Sequence, residues 1–411
     1  MRALLEESFR AAVAAADPQV ILGPHVPRPP RGRTYVAAAG KAAASMAAAL
    51  ERAWPASAPL EGLAITRYGH GLPTQRIRVV EAGHPVPDSA GEAAAAEILE
   101  KARGLGPDDL LLALVSGGGS SLLSLPAPGL SMAELKALTA QLLRSGAAIQ
   151  EMNTVRKHLS AIQGGRLAAA TRAAVLALVV SDVTGDDPTH IASGPCAPDP
   201  TTCEDARGVL ARFGIASKLP FSETPKPGDP VFARVENRII ATAHRSLEAA
   251  AEVFRAKGIQ PIILGDTITG EAAEVGKVMA ALVREIRTHG GPFRAPVALI
   301  SGGECTVTVR GEGGRGGRCS EFLLSLGIEL DGMPDVWAIA ADTDGIDGSE
   351  DNAGALLGPD SLVRARAQAK RPRELLARND SYGFFAGLGD LLVTGPTRTN
   401  VNDYRAILLT R

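Results

Sequence analysis

Glycine, serine, aspartate and lysine crowd into five short stretches of this chain, each directly after an apolar run. They are Gly40-Lys41, Ser116 to Ser121 (SGGGSS), Ser181-Asp182 with Gly185 to Asp187, Gly302-Gly303-Glu304, and Asp342 to Gly348 (DTDGIDG). In SGGGSS, Gly117, Gly118 and Gly119 let backbone amides approach an anion closely, and Ser116, Ser120 and Ser121 donate further bonds, as in a phosphate nest. The missing side chains also leave space for something other than protein. Gly302, Gly303 and Glu304 repeat the theme in the second half. No lysine follows at the phosphate-loop spacing and no serine sits in GxSxG, so neither a Walker-type loop nor a nucleophile elbow is present.

Lys41 opens an Ala-rich helix (GKAAASM), where the helix dipole slightly disfavours a cation; an anion docked at that turn accounts for it. Asp182, Asp186 and Asp187 gather in SDVTGDDPTH, and Asp342, Asp344 and Asp347 in DTDGIDG. Carboxylates on turns suit Mg²⁺, which takes one or two of them plus substrate phosphate oxygens, or acid–base work; they also suit ordinary Asx turns. In MNTVRKHLSAIQGGRLA, Asn153, Arg156 and Lys157 fall at i, i+3 and i+4 and share a helix face, either converging on one small polar ligand or forming a solvated basic face. RGEGGRGGRCSEF holds a literal GxGxxG, Gly311 to Gly316, the spacing of a dinucleotide fingerprint. The preceding CTVTVR alternates like an exposed antiparallel strand and Glu312 is ill-placed beside a pyrophosphate, so nicotinamide binding there is the minor reading.

The elements that must position these groups are short apolar strands alternating with helical stretches from about Thr34: TYVAAAG then KAAASMAAALERA, LLLALVS then MAELKALTAQLLRSG, then AAVLALVVSD. That order predicts parallel sheets covered by helices on both faces, with ligands beyond the carboxyl ends of the strands. The pattern breaks at KLPFSETPKPGDPV, Lys218 to Val231, which reads as a linker or hinge, and resumes with NRIIATA, IQPIILG, APVALISGG and VWAIAADTDG. Two α/β domains with a cleft between them follow. The first 18 residues read as an amphipathic surface helix.

The chain has 411 residues, 45% of them hydrophobic, enough for two cores. A net charge of -2 and 4% aromatic residues argue against nucleic acid and membrane partners. Four cysteines without a CxxC pair point to reduced thiols in the cytoplasm, and no apolar run approaches the roughly 20 residues a spanning helix needs.

The ordered motifs GKAAASM, SGGGSSLL, NTVRKHLSAIQGGRLA, SDVTGDDPTHIASGP, SGGECTVTVRGEGGRGGR, DTDGIDG and TGPTRTNVND resemble the glycerate 2-kinase family whose C-terminal part is the MOFRL domain. Members are also labelled hydroxypyruvate reductases, which keeps nicotinamide-dependent reduction as the alternative activity. The resemblance implies phosphorylation of D-glycerate to 2-phosphoglycerate by ATP with Mg²⁺. It implies two three-layer α/β domains: a Rossmann-like one with a largely parallel sheet (1–230) and one with a mixed sheet (231–411) holding the MOFRL region at about 295–405, with the active site in the cleft between them. It also implies catalytic roles for Lys41 and Arg318. To these are added Asp182 and Asp344 as catalytic candidates, Asp182, Asp187 and Asp344 as metal ligands, SGGGSS and Gly302 to Glu304 as the ATP cradles, and Asn153, Arg156 and Lys157 as glycerate ligands. One departure stands out: the family usually continues Gly-Gly-Arg with Asn and Gln, whereas this chain has Cys319 and Ser320. Such chemistry needs positioning and charge neutralisation more than covalent participation. The oligomeric state, a homodimer included, is left open.

Overall fold

The protein is described by a computed structural model covering residues 1–309 and 314–411. The chain forms two compact units, Pro18–Ile240 and Met1–Asp17 with Ala241–Arg411.

The unit Pro18–Ile240 is built on six strands: β1 (Thr34–Ala39), β2 (Leu60–Arg67), β3 (Ile77–Ala82), β4 (Leu110–Val115), β5 (Ala174–Val180) and β6 (Val235–Ala241), in the order β3-β2-β1-β4-β5-β6. The pairings from β3 through β5 are parallel. β1 and β4 are buried along their whole length, as Ala-, Leu- and Val-rich strands covered on both faces must be. The chain runs outward from β1 through β2 to β3 and then returns to lay β4 on the other side of β1. The strand order therefore reverses between β1 and β4, the place where doubly wound sheets open a ligand crevice.

Lys218 to Val231 is not a hinge between domains. It is fastened along this unit: the Ser222 amide donates to the His158 carbonyl (3.0 Å), the Cys203 amide donates to Glu223 (2.9 Å), and Arg166 donates to the carbonyl (2.9 Å) and hydroxyl (2.8 Å) of Ser222. The strand expected to open the second domain, NRIIATA, instead closes the first sheet as β6, and Phe232, Val235 and Ile239 pack against that sheet's core. The boundary thus falls after Ile240 and not at 230. Composition marked the segment as irregular, but side-chain anchors decide whether an irregular segment is loose.

The second unit carries β7 (Gln260–Gly265), β8 (Val297–Ser301), β9 (Val336–Asp342), β10 (Gly354–Leu357), β11 (Leu391–Leu392) and β12 (Asp403–Leu409), in the order β11-β10-β9-β12-β8-β7. β7 and β8 are parallel, while β12 runs antiparallel to both β8 and β9, so the sheet is mixed. The N-terminal helix Arg2–Ala14 belongs here and not with the first domain: Leu5, Phe9 and Ala12 share one core with Leu247, Ala250, Phe254, Ile300 and Ile339, and the Tyr404 hydroxyl meets Ser8 Oγ at 2.8 Å. The stretch expected to be a strand, CTVTVR, makes one bridge, Thr306 to Glu271, within its described part. All four cysteines are buried and unpaired. No helix among the described residues is long and apolar enough to cross a membrane.

Candidate active site

In the unit Pro18–Ile240, the turns after β1, β4 and β5 lie side by side because those strands are neighbours. Gly40, with φ at +130°, is where the chain leaves β1; a Cβ there would collide with Ser116 Oγ, which instead accepts the Ala42 amide (3.0 Å). The Lys41 amide donates to the Gly117 carbonyl (2.8 Å), so the two turns are stitched together. Lys41 itself is half-buried, and its Cγ lies 3.3 Å from where a Gly118 Cβ would be. Gly119 is pressed against Ala192, and Ser120 Oγ meets Ser193 Oγ at 2.8 Å. Ala192 and Ser193 both adopt positive φ (+50° and +59°), costing of order 1 kcal/mol each for non-glycine residues. Strain of that kind persists where a site over-determines the backbone.

The space beside Gly40 and Gly119 is therefore filled by the protein itself; these glycines allow backbone segments to touch. Gly40→Ala and Gly119→Ala should each destabilise the protein by about 1–3 kcal/mol in urea unfolding, the cost of forcing a methyl into a packed contact. Unchanged stability of both would return the glycines to a ligand-cradling role.

Asn153, Arg156 and Lys157 lie on one helix, Ile149–Lys157, but the structure does not bring all three to one place. Lys157 is buried in an ion pair with Asp199, also buried, at 3.0 Å, and reaches the Thr189 carbonyl at 3.4 Å. It is a core residue and leaves the proposed glycerate set. Arg156 turns the other way, making long bonds to Asn153 (3.5 Å) and Thr139 (3.5 Å), and lines a cavity of about 330 Å³ with Ser120, Ser121 and Gln163. The buried Gln163 amide, which sequence reasoning passed over, donates to the carbonyls of Ser120 (2.8 Å) and Leu123 (3.0 Å) and so fixes the SGGGSS turn. Asp182 is half-buried at the end of β5; Asp187 is exposed and caps its own turn through the Thr189 amide (2.8 Å). Among the described residues, the ligand atoms of His158, Cys203 and Glu223 are close enough (4.8 Å) to share a metal ion; the candidate aspartates are not in that group. Lys226 already meets Glu223 there, at 2.9 Å.

In the second unit, the turns after β8 and β9 converge on Arg318. Its guanidinium holds Asp403 (2.8 Å), Asp342 (2.7 Å) and Glu304 (3.2 Å). Burial works against its charge, but the carboxylates of Asp403, Asp342 and Glu304 outweigh that and hold its pKa well above the ordinary arginine value. Gly302 and Gly303 lie beneath: Arg405 donates to the Gly302 carbonyl (3.0 Å), and a Cβ on Gly303 would collide with Ile268. Asp344 is buried and accepts the Ile346 amide (2.8 Å). The TGPTRTN segment locks onto this loop, with the Thr397 amide donating to the Asp344 carbonyl (3.0 Å).

The GxGxxG stretch lies partly outside the described residues, in 310–313, but the helix that follows, Arg318–Leu330, is fully described. Its first amides are taken: Asp347, fully buried, accepts from Cys319 (2.9 Å) and Ser320 (2.8 Å). In a dinucleotide fold the pyrophosphate occupies that position. Here a carboxylate of the chain does. Cys319 and Ser320, the departures from the family pattern, are themselves fully buried, and Ser320 Oγ meets Ser381 Oγ at 2.9 Å. Burial pushes the Cys319 thiol well above its ordinary pKa.

Two family models match the chain: "Domain of unknown function (DUF4147)" over residues 4–223 and "MOFRL family" over 297–403. A "Glycerate 2-kinase" of Pyrococcus horikoshii is 40% identical over 92% of this chain and 88% of its own length. The crystal structure of a glycerate kinase from Thermotoga maritima superposes with a TM-score of 0.89 at 38% identity, covering 100% of this chain and 99% of that one. The chain belongs to the glycerate kinase family with a MOFRL domain. A further relative, from Agrobacterium vitis, is 51% identical over 99% of this chain and 94% of its own length and carries the name "Putative hydroxypyruvate reductase". In this glycerate kinase family member, Asp403 is the residue that reading strand ends missed. It begins β12, and only the antiparallel run of that strand sets it opposite Asp342, its register partner on β9. Its one sequence signal is its place at the end of TGPTRTNVND.

Proposed function

We propose that this protein transfers the terminal phosphoryl group of ATP to the 2-hydroxyl of D-glycerate with the help of Mg²⁺. The observation that carries the reading against reduction is Asp347: it fills the anion position that a nicotinamide dinucleotide would need at the GxGxxG helix. Full-length likeness to proteins named "Glycerate 2-kinase" and "D-glycerate 2-kinase" supports the same choice.

Lys41 and Arg318 supply positive charge toward the transferred phosphoryl, where neutralisation lowers the barrier most. Ser120, accepting from Ser193, can donate its hydroxyl to a phosphate oxygen, while Ser121 gives its own to the Gly118 carbonyl and holds the turn. Asp182 and Asp344 are half-buried and buried carboxylates of the type Mg²⁺ accepts, one or two at a time beside substrate phosphate oxygens. Mg²⁺ so bound would offset charge on those phosphates. Asp187, capping its own turn, is the weaker ligand.

The test is incubation with D-glycerate, ATP and Mg²⁺ beside hydroxypyruvate with NADH or NADPH. ADP should form in the first mixture, NMR of the product should show phosphate on carbon 2, and no reduced nicotinamide should be consumed in the second. Nicotinamide oxidation without ADP would replace kinase by reductase. Asp182→Asn and Asp344→Asn should each remove most activity. A higher Mg²⁺ requirement in the mutant identifies a metal ligand; a shifted pH profile at unchanged requirement identifies the base that takes the glycerate proton.

A further inference from the structure

One cavity in the unit Pro18–Ile240 has a lining that suits one substrate of such a reaction and not the other. It measures about 330 Å³, and its walls are mostly apolar, from Pro85, Val86, Leu135, Ala140 and Leu143. Val86 and Leu143 are 62% and 65% exposed, so two large aliphatic side chains are left facing water at the same opening. Apolar surface gathered at one concavity marks a binding site more than chance does.

The polar groups around it are hydroxyls, an amide and two cations. Ser120, Ser121 and Gln163 line it together with Arg156 and Lys136. Arg156 is half-buried and makes no ion pair among the described residues; its two bonds, to Thr139 and Asn153, are both 3.5 Å long. Burial draws its pKa below the ordinary arginine value, the mark of a cation whose charge is not matched. The charge of Lys136 is felt by Asp88 and helps to lower that carboxyl, while no acidic side chain is among the lining residues. The cavity thus asks for a ligand with an apolar body and an anionic end.

Its place in the sheet supplies the rest. Ser120 and Ser121 belong to the turn after β4, beside the reversal of strand order at β1 and β4. Ser121 Oγ bonds the Gly118 carbonyl (3.1 Å), and Lys41 passes over the same glycine. A chain of phosphates leaving the cavity past Ser121 would run toward Lys41.

We propose that this cavity binds the adenosine part of ATP, with Arg156, Ser121 and Lys41 along its phosphates, and that glycerate is bound elsewhere. Glycerate, a three-carbon hydroxy acid with polar atoms on every carbon, would leave the aliphatic walls wet and the volume unfilled. Helical spacing groups Arg156 with Asn153 and Lys157 as glycerate ligands; the cavity moves Arg156 to the nucleotide. The inference rests on the kinase reading for the identity of the nucleotide.

Two variants test it: Ala140→Trp, which fills the cavity, and Leu143→Glu, at a side chain exposed enough to leave folding intact. Both should raise the KM for ATP at least about tenfold while the KM for glycerate stays within about twofold. Direct titration with methylanthraniloyl-ATP, followed by its fluorescence, should weaken by a similar factor. Unchanged nucleotide binding in folded Leu143→Glu, or a rise confined to the KM for glycerate, overturns the proposal. If the wild-type protein forms no ADP from glycerate, the kinase reading falls, yet the titration still decides the cavity: weakened binding in both variants upholds it and unchanged binding removes it.

Discussion

Replacing Arg318 by alanine should lower kcat by on the order of 10²-fold or more, equivalent to about 3 kcal/mol, and should weaken the fold as well. The loss of kcat follows from the positive charge proposed to face the phosphoryl, and the loss of stability from its three carboxylate partners. Asp342 and Asp403 are buried, and they face each other in register across β9 and β12. Arg405 also pairs with Asp403, at 2.7 Å, while Asp342 meets Arg318 at 2.7 Å. Removing one partner of a buried pair costs up to about 3–5 kcal/mol, and the partial exposure of Arg318 places this site toward the low end. Arg318→Lys separates the two roles: it keeps a charge between the aspartates but loses the planar fork that spans them, so stability should recover more than kcat. Lys41→Ala should lower kcat by a similar factor, on the order of 10²-fold, with little loss of stability, because Lys41 is half-buried on a turn. Binding of ATP should weaken much less in each case. Steady-state kinetics beside urea unfolding check both, and near-normal kcat in folded Lys41→Ala and Arg318→Lys would remove these residues from the reaction.

Lys157→Met should cost about 3–5 kcal/mol of stability, because it leaves the Asp199 carboxylate buried without its cation. Lys157 Nζ lies 3.0 Å from Asp199 Oδ1, which also accepts from the amide (3.1 Å) and hydroxyl (2.7 Å) of Thr201. In Lys157→Met/Asp199→Asn the surviving amide oxygen still serves Thr201 and no charge is stranded, so more than about 1 kcal/mol should return as coupling between the sites. Burial alone would raise the Asp199 carboxyl, but Lys157 and Thr201 outweigh it and hold its pKa below the usual aspartate value. The stabilisation is therefore fully present above the unfolded aspartate pKa and is lost as pH falls through the depressed folded value. Wild-type protein should lose it in acid, whereas Lys157→Met should lack that part of the slope. Unchanged stability with a raised KM for glycerate would return Lys157 to the substrate.

The places of the polar turns at the strand ends were legible because they depend on local rules. Buried parallel strands are apolar runs, their carboxyl ends carry the ligand-facing turns, and a turn with a job needs Gly, Ser, Asp or Lys. Lys41, SGGGSS, Asp182 and DTDGIDG were found in that way, and the seven ordered motifs carried the family. The same local rules misplaced what depends on partners far along the chain. Lys218 to Val231 has the composition of a linker, yet Arg166, Glu223 and the His158 carbonyl bind it down. The N-terminal helix reads as a surface helix, and only its packing on Leu247, Ala250 and Phe254 assigns it to the second unit.

By itself, then, the sequence determined the α/β class, the motifs that make the chain a glycerate kinase relative, and the short turns on which its candidate residues sit. Tertiary structure alone decided what each charge faces. Helical spacing groups Asn153, Arg156 and Lys157 on one face, but a face can be half core and half cavity, and Asp199, 42 residues beyond Lys157, takes one cation while the cavity keeps the other. Strand periodicity locates Asp342 at the end of β9, but the antiparallel run of β12 brings in Asp403 from the far end of the chain. The physical reason is one of range: propensity and periodicity act over a few residues, whereas a buried charge must be neutralised by whichever group the fold places within about 3–4 Å, at any separation in sequence.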